Sequence, residues 1–182
     1  AKRPSAVPKT YRFNHVLGLD LVQFRNLDGI KQNYLNCLCW GTSLQQVKIV
    51  RGDNTKVPEN VWHTLVDTWI RIIGCPDVIV VDPGTEFEGS FTEEAQARGI
   101  TILPIDKESP WQNGRTERAG GLWKQQLRIA CRKCTPVNQE ELEALGSLCV
   151  QARNRYYNRS GFSPLQRVFG LNHRLPNSLL SD

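Results

Sequence analysis

The 182-residue sequence contains no methionine and only three histidines, His15, His63 and His173, none spaced with another as a paired metal site would require. No stretch reaches the roughly 18 uninterrupted apolar residues of a membrane-spanning helix. A soluble chain with no membrane partner is therefore expected. Nothing near the start resembles a secretory signal. The six cysteines lie mostly in apolar or helical surroundings, so reduced thiols in an intracellular protein are expected. Cys131 and Cys134 form a CxxC pair, but without a second ligand pair it reads as a helix end rather than a zinc site. Internal repeats and low-complexity tracts are also missing. The opening "AKRPSAVPKTYR" is basic and contains proline, which reads as a linker arm over residues 1–12. Together with the missing methionine it suggests a piece cut from a longer polypeptide, or a chain whose initiator methionine was removed before Ala1.

Apolar residues make up 40% of the chain, enough for one continuous core. Lys and Arg outnumber Asp and Glu by 23 to 18 and the pI is about 9.0, which hints at a polyanionic partner. The run from His15 to Phe24 is apolar on both alternations, as in a strand covered on two faces, and Asp20 interrupts it. A turn at Leu27 to Gly29 and the runs Tyr34 to Trp40 and Leu44 to Val50 complete three antiparallel strands. From Pro58, the spacing of Val61, Leu65, Trp69 and Ile72 or Ile73 predicts a helix stopped by Gly74. A short buried strand then ends at Asp82. A loop, a helix closed by Gly99, a strand over Ile100 to Ile105, and helices over 113–133 and 139–157 follow. The expected fold is α/β, a mixed five-stranded sheet flanked by helices.

Two aspartates stand out in this framework. Asp20 sits within an apolar strand, where a carboxylate is costly to desolvate without compensation; the alternative is a buried Asp bonded to backbone. Asp82 ends a strand, at the sheet edge where functional side chains gather. Preceding "PG", it is equally suited to opening a turn. If the two strands are neighbours, both carboxylates face one crevice and repel, unless a hard cation such as Mg²⁺ or Mn²⁺ lies between them.

Glu117 is the third candidate. At 100° per residue, Ala119, Leu122, Trp123, Gln126, Ile129 and Ala130 cluster opposite it and are expected to form the buried stripe. Gly121, Lys124 and Arg128 share its side. That side reads either as an ordinary solvated face or as a face kept open for another backbone by Gly120 and Gly121, each costing about 1 kcal/mol relative to Ala.

In the order strand Asp, strand-end Asp, helix Glu, these residues resemble the Asp, Asp, Glu triad of retroviral and LTR-retrotransposon integrases, a branch of the RNase H-like polynucleotidyl transferases. Between Asp82 and Glu117 lie 34 residues, close to the family's usual interval. "DPGTEF" is similar to the family's Asp-x-Gly-Thr/Ser-Glu-Phe segment, and "SPWQNGRTER" to its Pro-x-Gln-x-Gly loop before the catalytic Glu. The arm and the tail "NRYYNRSGFSPLQRVFG" resemble those of retrotransposon integrases. Pro83 departs from the commoner Asn or Arg, and Gly120 and Gly121 stand where many relatives carry Asn and Arg. The histidines lack the pattern of the family's zinc-binding amino-terminal domain, so that domain is not expected here, nor is the carboxy-terminal DNA-binding domain.

The resemblance implies an RNase H-like fold, with a catalytic core over 13–160 and an extension of it over 161–182. It implies divalent-metal-dependent phosphodiester cleavage and DNA strand transfer, with Asp20, Asp82 and Glu117 as catalytic residues and ligands of two Mg²⁺ or Mn²⁺ ions. Lys107, Arg118, Lys124 and Arg128 would hold DNA phosphates, and Gln112 and Asn113 would touch a DNA strand. The implied partners are double-stranded DNA and further copies of the chain, and the implied setting is the nucleus. Two rival functions remain: a nuclease using only water, and a domesticated core that binds DNA or protein without catalysis. The loop Asp106 to Gly114 is mostly polar and is expected to be poorly ordered without metal and DNA, with Glu117 free to point away from the aspartates.

Overall fold

The computed structural model describes residues 12–52, 57–105, 113–158 and 161–170. Its sheet has the order β3-β2-β1-β4-β5. Strands β1 (Val16–Arg25), β2 (Lys31–Cys39) and β3 (Gln45–Ile49) form an antiparallel meander, and β4 (Val78–Val81) and β5 (Thr101–Pro104) continue from β1 in parallel. Gly29, at φ +77°, makes the turn between β1 and β2 in a conformation that L side chains rarely adopt. This is the mixed sheet expected from the sequence, with strand ends displaced by one to three residues.

Six α-helices cover the faces among the described residues. Helix α1 (Pro58–Leu65) passes through a π-helical turn (Val66–Ile70) into the short α2 (Arg71–Ile73), so the single helix expected there carries one wide turn. A 3₁₀ turn (Thr85–Phe87) leads to α3 (Ser90–Ala97). Then come α4 (Gly114–Cys134), α5 (Gln139–Tyr156) and α6 (Pro164–Phe169).

The strand pleat sends alternate residues to opposite faces, which makes two cores from one sheet. Leu17, Leu19, Leu35, Cys37, Ile79 and Val81 pack under α1, the π turn and α3, against Trp62, Trp69 and Phe91. Val22, Tyr34 and Ile49 pack on the other face, against Trp123 and Leu127 of α4 and Leu142 and Val150 of α5. Asp20 shares the pleat face of Val22 and so points toward α4.

The helix α6 was not expected from the sequence, although its signal is present. Ser163 and Gln166 form a reciprocal capping box, Pro164 occupies the first turn and Gly170 ends the helix at φ +75°. Leu165 and Val168 pack against the first core. Ser163→Ala should lower unfolding stability by about 1 kcal/mol, the usual cost of a lost cap, as read from a shift in the urea midpoint with unchanged slope.

Candidate active site

Strands β1 and β4 are neighbours, with Val16 opposite Val78, Leu17 opposite Ile79 and Gly18 opposite Val80. Carried two residues further, that register sets Asp20 beside Asp82, which follows the last residue of β4. Helix α4 then lies along the same face of β1. Contacts near Gly18, Gly120 and Phe24 show strand and helix running in the same sense. A Cβ on Gly18 would collide with Thr116 Oγ1, and one on Gly120 would sit 2.6 Å from Val22 Cγ2 and 3.5 Å from Asp20 Oδ2. Further along, the Phe24 ring meets Trp123 edge-on at 6.2 Å between centroids. Absent side chains at Gly18 and Gly120 thus let α4 approach β1 closely enough to bring Glu117, in its first turn, toward Asp20.

The electrostatics register this approach. The Asp20 carboxyl is raised from its ordinary 3.8 to about 6, first by burial, then by the charges of Asp82 and Glu117, and to a lesser degree Glu86. A hydrogen bond from the Leu21 backbone opposes the shift. Asp82 is half-buried and Glu117 exposed. Among the described residues, no three such side chains are drawn together closely enough to hold a metal ion as they stand. The donor set nevertheless suits a hard divalent cation: oxygen ligands carrying mutual repulsion that positive charge would relieve. Glu86 was not singled out in the sequence; it lies in the 3₁₀ turn just after Asp82, with its carboxylate folded back over Gly84.

A buried polar chain fixes the start of α4. Asn36, fully buried on β2 directly opposite Asp20, donates from Nδ2 to the Thr116 carbonyl at 2.9 Å. Its Oδ1 accepts from Gln45 Nε2 at 2.7 Å. The Gln45 backbone in turn exchanges two hydrogen bonds with the Asn154 side chain of α5, at 2.9 and 2.7 Å. Trp40 Nε1 donates to Thr116 Oγ1 at 3.2 Å. None of these residues was marked in the sequence, because the partners lie tens of residues apart and each looks like an ordinary polar side chain. Asn36→Ala would leave the Gln45 amide unpaired in the interior, and should cost about 1–3 kcal/mol. Because the lost bond adjoins Glu117, the variant should also lose activity at temperatures where circular dichroism shows it folded.

Several expected positions change meaning in the structure. Asn113, expected to touch DNA, is fully buried and donates from Nδ2 to the Leu19 carbonyl at 3.3 Å, tying the beginning of α4 to β1. The buried stripe of α4 consists of Thr116, Ala119, Gly120, Trp123 and Leu127. It is rotated by roughly 75° from the stripe expected on a helical wheel, which leaves Leu122 at 42% and Ile129 at 48% exposure. Glu117 stands at the shoulder of the helix rather than opposite its buried side. Of the two glycines, Gly120 faces β1 whereas a Cβ on Gly121 would meet nothing within 4 Å. Arg118 and Arg128 are exposed and Lys124 half-buried, all on α4. Lys107, Gln112 and the rest of 106–112 lie outside the described residues, and so does most of the loop expected to be poorly ordered.

No protein-family model matches the sequence, and no curated protein matches it. Solved structures do. The HTLV-2 integrase catalytic core domain in complex with magnesium, in a trimeric form, superposes with a TM-score of 0.72 at 17% identity, over 91% of this chain and 100% of that one. A chain in the simian T-cell lymphotropic virus intasome, solved with a PP2A regulatory subunit, gives 0.75 at 15% identity, over 92% of this chain and 61% of that one. The catalytic core domain of BIV integrase gives 0.64 at 18% identity, over 84% and 92%. With its β3-β2-β1-β4-β5 sheet and flanking helices, the chain has the RNase H-like fold of retroviral integrase catalytic cores.

Proposed function

We propose that this chain is the catalytic core of a DNA integrase, cleaving phosphodiester bonds and joining element DNA to target DNA in a divalent-metal-dependent reaction. The observation that carries the reading is Asp20: a carboxyl on a central strand, raised to about 6 by burial and by the facing charges of Asp82 and Glu117. A structural carboxylate would be expected to have acquired a basic partner instead. Asp20, Asp82 and Glu117 would hold Mg²⁺ or Mn²⁺, two ions in the full site. Bound there, the metal supplies Lewis acidity toward the attacking and leaving oxygens of the phosphodiester.

The protein's own residues position the reaction. Asn36 and Asn113 tie the first turn of α4 to the sheet and so hold the Glu117 backbone in place. Arg118, Lys124 and Arg128 offer positive charge to DNA phosphates along α4, and Lys107 and Gln112 are assigned to DNA on the sequence resemblance alone. The partners in this reading are double-stranded DNA and further copies of the chain, and its place of action is the nucleus, where target DNA lies. Its similarity to an integrase core solved as a trimer and to an intasome supports the multimeric part. The likeness of the arm and the tail to those of retrotransposon integrases favours an LTR retrotransposon as the source element.

The test is incubation of purified protein with Mg²⁺ or Mn²⁺ and end-labelled duplexes and branched strand-transfer intermediates. Products longer than the substrate strand, or resolved branches with rejoined strands, are expected. Shortened strands alone would replace the reading with a water-using nuclease. DNA binding with no metal-dependent product in either assay would leave a non-catalytic binding module.

A further inference from the structure

Beyond the candidate active site, between the end of the β1-β2 hairpin and α4, lies a cleft of about 200 Å³ lined by Gln23, Phe24, Arg25, Lys31, Lys124 and Arg128. Four of these six residues are cations and none is an acid. Phe24, half-buried against Trp123, supplies the apolar part of the lining. The cations come from two elements: Arg25 and Lys31 from the β1-β2 hairpin, Lys124 and Arg128 from α4. None of the four takes part in the ion pairs found among the described residues.

The arrangement carries a repulsion that no ion pair among the described residues relieves. Arg25 and Lys31 are directly opposite one another in the antiparallel ladder, and like charges in that position destabilise a sheet. Lys124 and Arg128 are four apart on one helix, where like charges also repel. The two repelling pairs border a single cleft. The Arg25 guanidinium is held by donation from Nη1 to the Gly29 carbonyl at 2.6 Å, so the turn orients it. A group of cations organised in this way, with apolar surface between them, suits an anion flanked by a less polar moiety: a phosphodiester with its adjoining sugar.

Position relative to the carboxylates sets which phosphodiester. Lys124 and Arg128 lie seven and eleven residues beyond Glu117, about 10 and 16 Å along the helix axis at 1.5 Å per residue. Arg25 lies five residues beyond Asp20, about 16 Å along the strand. At about 3.4 Å of rise per nucleotide in a duplex strand, the cleft falls three to five nucleotides from a bond held at the carboxylates. We propose that this cleft seats the DNA backbone three to five nucleotides from the reacting phosphodiester, with Arg25 and Lys31 of the hairpin as its second wall. The distance from a reacting bond rests on the integrase reading above; the capacity to bind a DNA phosphate does not.

The experiment measures binding of the whole chain to a fluorescent duplex by anisotropy over a range of salt concentrations, without any catalytic readout. The double variant Arg25→Ala/Lys31→Ala should bind roughly tenfold more weakly at low salt, and the slope of log K against log salt should fall by about two, near one per lost phosphate contact. The charge-preserving Arg25→Lys/Lys31→Arg should keep the wild-type slope, which separates charge from hairpin packing. Neutral methylphosphonates placed singly along a strand-transfer intermediate should weaken wild-type binding three to five nucleotides from the branch, and should have no further effect there in the alanine variant. An unchanged slope in the alanine variant, or methylphosphonate losses identical in both proteins at every position, would overturn the proposal. If the slope falls while the chain neither cleaves nor joins DNA, the cleft stands and the integrase reading falls.

Discussion

Replacing Asp20 with asparagine should abolish cleavage and joining, by roughly a thousandfold or more, as expected when a charged group acts as part of a catalytic unit. The same change should make the metal-free protein more stable at pH 7. The two effects have one cause. Because the folded protein raises the Asp20 carboxyl from 3.8 to about 6, the folded state binds this proton more tightly than the unfolded state does. The stability contributed by the protonated carboxyl is fully present below pH 3.8 and is lost as pH rises through about 6, since the charged form is then buried and faces Asp82 and Glu117. At 1.36 kcal/mol per tenfold change, the cost at neutral pH is at most about 3 kcal/mol. An asparagine in this position would remove the charge at almost constant volume and avoid that cost.

Melting temperatures of wild type and Asp20→Asn should therefore differ most above pH 7 and converge toward pH 4, with the variant higher. Mg²⁺ or Mn²⁺ should raise the wild-type melting temperature at pH 7 and reduce the gap, because a cation that binds only the folded state stabilises it. The variant should respond little. A variant that is less stable than wild type at pH 7 would mean Asp20 is a satisfied structural carboxylate, and one that joins DNA at nearly the wild-type rate would remove it from the metal site.

What could be read from the sequence followed from periodicity. Apolar residues on both alternations of β1 indicated a strand covered twice, and two separate cores are found on its two faces. The order of strands and helices was enough for a mixed five-stranded sheet, whereas the adjacency of β1 and β4, which makes Asp20 and Asp82 neighbours, was only a condition in the sequence and is supplied by the structure. The orientation of α4 was not legible in the same way. A helical wheel weights hydrophobic side chains, whereas the residues of α4 that lie closest to β1 are Thr116 and Gly120, which carry little such weight. Asn113 lies in the interior for a related reason. The family resemblance assigned it to a DNA strand, but the close approach of α4 encloses it, and the Leu19 carbonyl takes its amide. Close packing of helix on strand, which depends on small residues and on polar struts far apart in sequence, left no periodic trace.

That close approach gives the second large effect, in which neighbouring glycines should respond in opposite directions. At Gly120 an added Cβ would lie 2.6 Å from Val22 Cγ2 and 3.1 Å from Asn36 Nδ2. Val22 is buried and β-branched, so it has little freedom to turn aside. Asn36 is held at both ends of its amide by Thr116 and Gln45. The helix itself must therefore lift from β1. Overpacking of this kind costs about 1–3 kcal/mol, offset in part by the gain of about 1 kcal/mol when Ala replaces Gly in a helix. Gly120→Ala should thus be modestly less stable than wild type. Its activity should fall much further, about a hundredfold, because Glu117 lies one turn away and a displacement near 1 Å is enough for such a loss. Gly121→Ala meets open space and should gain up to about 1 kcal/mol. If Gly121 exists to let a DNA backbone approach α4, that more stable variant should still bind DNA less tightly; undiminished affinity would leave its glycine without a role at the DNA. Urea melts of the two variants, set beside joining rates and DNA affinities, test both halves. A Gly120→Ala protein that joins DNA at the wild-type rate would mean that the contact between α4 and β1 does not set the position of Glu117.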